Sequence, residues 1–72
     1  MRKIVNQEFI GFKVSGDESV SLIRAVIACD TAEDIPEYNA LEGYELDIGS
    51  VAWDISNGEI YALNSEHEWV KQ

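Results

Sequence analysis

Two side chains in this sequence are of the types that attack carbonyls or shuttle protons: the single cysteine, Cys29, and the single histidine, His67. A thiolate beside an imidazole is the minimum for nucleophilic catalysis, and such partners are neighbours in space rather than in sequence. Their surroundings argue against that use. Cys29 closes the apolar run Ala25-Val26-Ile27-Ala28-Cys29, where a thiol behaves as a small inert hydrophobe. His67 lies in a turn-forming stretch between Glu66 and Glu68, and the sequence offers no third orienting group or oxyanion motif. The chain is read as non-enzymatic, with no catalytic residue.

A second group is acidic. Asp30, Glu33, Asp34 and Glu37 are spaced i, i+3, i+4 and i+7, so one helical face would hold four hard oxygen ligands of the kind Ca²⁺ takes. Pro36 disfavours helix just before Glu37, and the spacing is not that of an EF-hand loop. A solvated acidic turn is the preferred reading, with no metal and no cofactor. The five glycines stand singly and form no phosphate-cradling loop.

The third group is aromatic. Tyr38, Tyr44, Trp53, Tyr61 and Trp69 are the candidate binding residues, able to stack on sugar rings or to anchor a protein contact. Trp53 and Trp69 are expected mainly in the core or in a subunit interface. Tyr38 and Tyr44 sit among acids and suit external contact.

The elements that must position these residues are short and β-like. Ile10, Phe12 and Val14 alternate with Gly11 and Lys13, a period of two that predicts a strand within residues 3–14. Ser15-Gly16-Asp17-Glu18 reads as a turn. Residues 19–29 carry Val20, Ile23, Val26 and Ile27, which are β-branched and favour strand over helix. The unbroken run at its end predicts a central strand buried on both faces. Thr31 is a helix N-cap followed by acids, and Pro36 limits the outcome to one short helical turn. Residues 37–47 read as a loop, with an extended stretch over 44–48.

The C-terminal third gives the clearest pattern. Val51, Trp53 and Ile55 alternate with Ala52 and Asp54, Asn57-Gly58 follows, and Glu59 to Leu63 returns. Asn-Gly suits a two-residue type I′ turn. That turn would pair Ile55 with Ile60, Trp53 with Ala62 and Val51 with Asn64. A second turn at residues 64–67 leads to a third strand over 68–71. The fold class is therefore mainly β, a small antiparallel sheet with a C-terminal β-meander and one short helical turn. The ribbon places Trp53, Ile55 and Ile60 on one face and Tyr61 and Leu63 on the other. Both faces are partly apolar, and so short a chain is expected to cover the second by oligomerising.

Composition sets the outer bounds. Seventy-two residues make one small domain, and 46% apolar content is normal for a folded one. One cysteine allows no intrachain disulfide. The first residues, Met1-Arg2-Lys3-Ile4-Val5, do not read as a signal peptide. The longest apolar run falls far short of the roughly 20 residues that cross a bilayer, so synthesis in the cytoplasm and no membrane partner are expected. The net charge of −9 disfavours direct nucleic-acid binding. Between Ala25 and Val70 there is no Lys or Arg, whereas residues 1–24 are mildly basic. This segregation is read first as a solvated, aggregation-resistant surface, and second as a basis for contact between the two parts of neighbouring copies.

Taken together, Cys29-Asp30-Thr31-Ala32-Glu33-Asp34-Ile35-Pro36, Gly49-Ser50-Val51-Ala52-Trp53-Asp54, Gly58-Glu59-Ile60-Tyr61 and Glu68-Trp69-Val70 resemble a short module of bacteriophage virion proteins of the tail-fibre and head-fibre type. The resemblance covers residues 26–71, and residues 1–25 are N-terminal strands outside it. It implies a structural protein of the virion (fibre, capsid decoration or connector), a β-rich fold, a homo-oligomer of which the trimer is common, and docking on other virion proteins. The alternative drawn from the charge is an acidic phage-encoded inhibitor that mimics nucleic acid against a basic host protein. A glycan-binding unit at a fibre tip is a third reading.

Overall fold

A computed structural model describes residues 1–41 and 43–72; Glu42, in the acidic link, lies outside the described residues. The fourteen positions after Met1 contain no proline, and the chain uses all of them as one strand. β1 runs over Arg2–Ser15 and turns through Gly16-Asp17 into β2, Glu18–Cys29. Gly16 takes a φ of +63°, the left-handed value that lets this turn close tightly. The two strands pair antiparallel along their whole length, with bulges between Ile4 and Asn6 and between Phe9 and Gly11. The strand stays continuous through both bulges. This ribbon makes the molecule long, with principal extents of 40 × 22 × 19 Å.

After β2 the chain makes a single 3-10 turn, Ala32–Asp34, with Thr31 as its N-cap residue. The Asp34 carboxylate accepts hydrogen bonds from the Thr31 backbone N–H (3.2 Å) and hydroxyl (3.4 Å), which fixes the turn. β3, Tyr44–Leu46, then lies parallel to the upper half of β2, and β4, Val51–Asp54, lies parallel to its lower half. Two short strands therefore share one edge of β2 end to end. The junction would orphan the Ala25 N–H; the Ser50 hydroxyl accepts from it at 3.2 Å and donates to the Asp47 carbonyl at 2.9 Å. Ser50 is accordingly buried without loss.

β5, Glu59–Leu63, and β6, Trp69–Lys71, complete the antiparallel meander, giving the strand order β1-β2-β4-β5-β6 with β3 also on β2. The protein is mainly β, with one sheet, the meander and one short helical turn, as the sequence predicts; the sheet is mixed rather than wholly antiparallel, because the chain crosses over after β2 and lays β3 and β4 parallel to it. The hairpin register differs from that expectation. Trp53 pairs with Ile60 and Val51 with Ala62, so the loop has four residues, 55–58, rather than two. The cause is Asp54: its carboxylate accepts from the Ser56 N–H (3.0 Å), the Ser56 hydroxyl (2.6 Å) and the Asn57 amide (3.1 Å), which commits residues 54–57 to a side-chain-closed turn. Only Gly58, at φ +68°, takes the left-handed conformation there. A slip of two residues keeps the side chains of β4 and β5 on their expected faces and moves Ile55 into the loop.

The core lies on one face of the sheet, the inner face. Ile23, Ala25, Ile27 and Cys29 of β2 are buried there with Leu46 and Leu63, and Ile35, Tyr38, Leu41 and Trp69 pack against them. The crossover from β2 to β4 supplies three of those covering side chains. β2 is thus buried on one face, not both: Arg24 and Val26 are exposed on the opposite, outer face. The reason is chain length. The single crossover that parallel pairing demands covers one side.

Candidate protein-interaction surface

The outer face is built by the alternate residues of the same strands. In-register pairing sets Ala28 beside Trp53 and Ile60, and Val26 beside Val51, Ala62 and Val70. Trp53 is 45% exposed, Ile60 47% and Val70 44%, so a band of apolar side chains faces solvent across β4, β5 and β6. Lys3 and Asn6 of β1 continue these rows, which hold no Asp or Glu. Among the described residues the acids are therefore kept off the most apolar part of the sheet.

The ribbon carries a second apolar surface. Pairing of Phe9 with Ile23, Phe12 with Ser21 and Val14 with Ser19 puts all three on the inner side. In a regular strand residues three apart point to opposite sides. The bulge at Ile10 resets the alternation, and the Phe9 and Phe12 rings meet edge to face at 5.1 Å. They remain 57% and 67% exposed, and Val14 72%. These residues were missed by sequence reasoning, which placed Ile10 in phase with Phe12. The signal that could have shown them is the Phe-Ile-Gly-Phe string, where Gly within a strand marks a bulge.

The five candidate aromatics are dispersed. Trp53 is on the outer face. Trp69 is half-buried on the inner one, where its indole N–H donates to the Pro36 carbonyl at 2.7 Å and its ring packs on the core. Tyr61 is half-buried, and its hydroxyl donates to Glu59 Oε2 at 2.9 Å. Tyr38 packs on the core and stacks on His67, ring centroids 4.2 Å apart. Tyr44 is exposed at the start of β3, and Tyr38 and Tyr44 line one shallow groove with Lys13, Leu41 and Glu45.

Charges of opposite sign find one another within the chain. Lys13 Nζ lies 3.1 Å from Glu45 Oε1, Lys71 Nζ 2.8 Å from Glu59 Oε1, and the Met1 amino group 2.8 Å from Asp34 and 3.3 Å from Asp30. Arg24 Nε donates to the Ile48 carbonyl at 3.0 Å and Arg2 to the Asp34 carbonyl at 3.3 Å. The mildly basic N-terminal part is thus largely spent on the acidic part of its own copy. The Met1 amino group beside it holds the Asp34 carboxyl below its ordinary range, and Asp34 raises the amino group in return. The Lys71 ammonium does the same for Glu59, whose contact raises the Tyr61 hydroxyl. For Asp54 the Ser56 hydroxyl is the main cause of a lowered pKa. Two of the four acids weighed as metal ligands, Asp30 and Asp34, are turned onto the Met1 amino group.

Chemistry of the nucleophile type finds little footing. Cys29 is fully buried, and burial pushes its thiol pKa up, away from the reactive thiolate. His67 is exposed in the 64–68 turn, at φ +62°, with the Asn64 side-chain oxygen accepting from the N–H groups of Glu66 and Glu68 at 2.9 Å each. Among the described residues no helix is long and apolar enough to cross a membrane. The chain matches none of the protein-family models, none of the curated proteins and none of the solved structures with which it was compared.

Proposed function

We propose that the protein is a non-enzymatic structural component that works by self-association and by docking on other proteins of an assembly. The observation that carries this reading is the pair of apolar surfaces left open by the fold: the Trp53-Ile60-Val70 band and the Phe9-Phe12-Val14 ribbon. A small domain gains stability it cannot build alone when such surfaces are covered by a neighbour. The resemblance of residues 26–71 to virion fibre modules supports, as the setting, a bacteriophage particle in which the chain would serve as fibre, decoration or connector. The acidic surface, excluded from the apolar band, keeps wrong contacts weak.

Size-exclusion chromatography with light scattering over a dilution series tests the reading. Oligomers that persist on dilution and dissociate only at the lowest concentrations are expected. A strict monomer at every concentration overturns it. A monomer that also captures a basic nucleic-acid-binding protein, released by moderate salt, would establish instead the inhibitor reading drawn from the charge.

A further inference from the structure

β1 is an edge strand fourteen residues long, paired only with β2 among the described residues. Unpaired backbone groups along such an edge are a template for another strand. Its middle, Glu8-Phe9-Ile10-Gly11-Phe12-Lys13, complements itself when set antiparallel to a second copy. We propose that two copies join through this edge about a two-fold axis between Ile10 and Gly11, with Glu8 opposite the other copy's Lys13, Phe9 opposite Phe12 and Ile10 opposite Gly11. The proposal rests on the self-association reading above and names its interface.

Four observations support this register. Residues five apart, such as Glu8 and Lys13, would point to opposite sides of a regular strand. The Ile10 bulge brings both to the outer face, Glu8 opposite Arg24 and Lys13 opposite Val20, while Phe9 and Phe12 share the inner face. Opposed residues of an antiparallel pair must share a face, and the bulge is what makes that possible for this register. Secondly, Gly11 has no atom within 4 Å of where a Cβ would lie, so open space is available beside it for an incoming Ile10. Thirdly, Glu8 is in no ion pair among the described residues, because its cross-strand neighbour Arg24 turns to the Ile48 carbonyl. Fourthly, the exposed Phe9 and Phe12 rings would form a four-ring cluster, with one Phe9–Phe12 cross-strand pair on each side of the axis. Lys13 already meets Glu45, yet an ammonium has three donors and can serve both carboxylates. Bulges and charges also guard edges against pairing. Here the charges are of opposite sign and spaced to meet, so they favour the contact.

The contact is isologous and closes after two copies. Charge reversal in trans tests it. Glu8→Lys alone and Lys13→Glu alone each set like charges opposite one another twice per dimer, and each is expected to weaken dimerisation roughly tenfold or more. Mixing the two variants restores both attractive pairs, so a heterodimer of near wild-type affinity is expected. Lys13→Glu also sets a carboxylate against Glu45 within its own copy, so a second measurement leaves Lys13 in place. Phe9→Cys chains mixed with Phe12→Cys chains should form a mixed disulfide dimer faster than either forms its own, Cys29 being buried. A wild-type monomer at every concentration overturns the self-association reading and this proposal with it. A wild-type trimer, or a dimer that neither charge reversal disturbs and that yields no preferential mixed disulfide, overturns this interface alone.

Discussion

The inner and outer faces of this sheet are made of the same strands and nearly the same residue types, yet one is a core and the other is bare. On β2, Ile23, Ala25, Ile27 and Cys29 are sealed, while Val26 between them faces solvent. On the meander, Ala52 and Leu63 are buried, while Trp53 and Ile60 are open. Hydrophobicity alone does not distinguish the two sets. What does is the crossover between β2 and β4, which carries Ile35, Tyr38 and Leu41 over one face and has no counterpart over the other among the described residues. Burial here is a property of where the chain passes, and the strands supply candidates for it on both sides.

Matched substitutions sharpen that contrast. Ile27→Thr removes a methyl group from a sealed site and buries a hydroxyl, so a loss of about 3 kcal/mol or more is expected in chemical denaturation. A domain of this size holds only about 4–11 kcal/mol in all, so this variant should be near the limit of folding. An inner-face residue of a different kind, Asp54, gives a smaller effect that depends on pH. Its folded pKa is depressed by the Ser56 hydroxyl. Its contribution is therefore present above the unfolded value of about 4 and is lost as pH falls through the folded one. Asp54→Asn should flatten the acid limb of the stability curve, and Asp34 and Glu59, lowered likewise, keep some of it. The outer-face match, Ile60→Thr, should cost the dilute protein about 0.5–1 kcal/mol at most. An Ile60→Thr loss equal to that of Ile27→Thr would mean that the outer face is already covered, and the comparison between faces would fail.

The legible parts of the fold were those set by short-range pattern. The strands over β1, β2 and the meander, the turn at Gly16 and the Thr31-capped turn all follow from alternation, β-branching and turn chemistry close in sequence. The hairpin register did not, because Asn57-Gly58 carries the two-residue turn signal while the Asp54 carboxylate, bonded to Ser56 and Asn57, closes a longer one. The candidate aromatics were legible as residues but not as a site. Trp69 was placed by a hydrogen bond to Pro36, thirty-three positions away, and Tyr38 by a stack on His67.

The sequence by itself determined that this chain is acidic and mainly β, because period-two apolar patterning and local turn residues act within a few positions of one another. Tertiary structure alone decided which face became the core, that β3 and β4 lie parallel to β2, and that a bulge at Ile10 turns Phe9 and Phe12 to the same side. Those outcomes depend on contacts between distant segments, and on one extra residue in a ladder, neither of which a local pattern encodes.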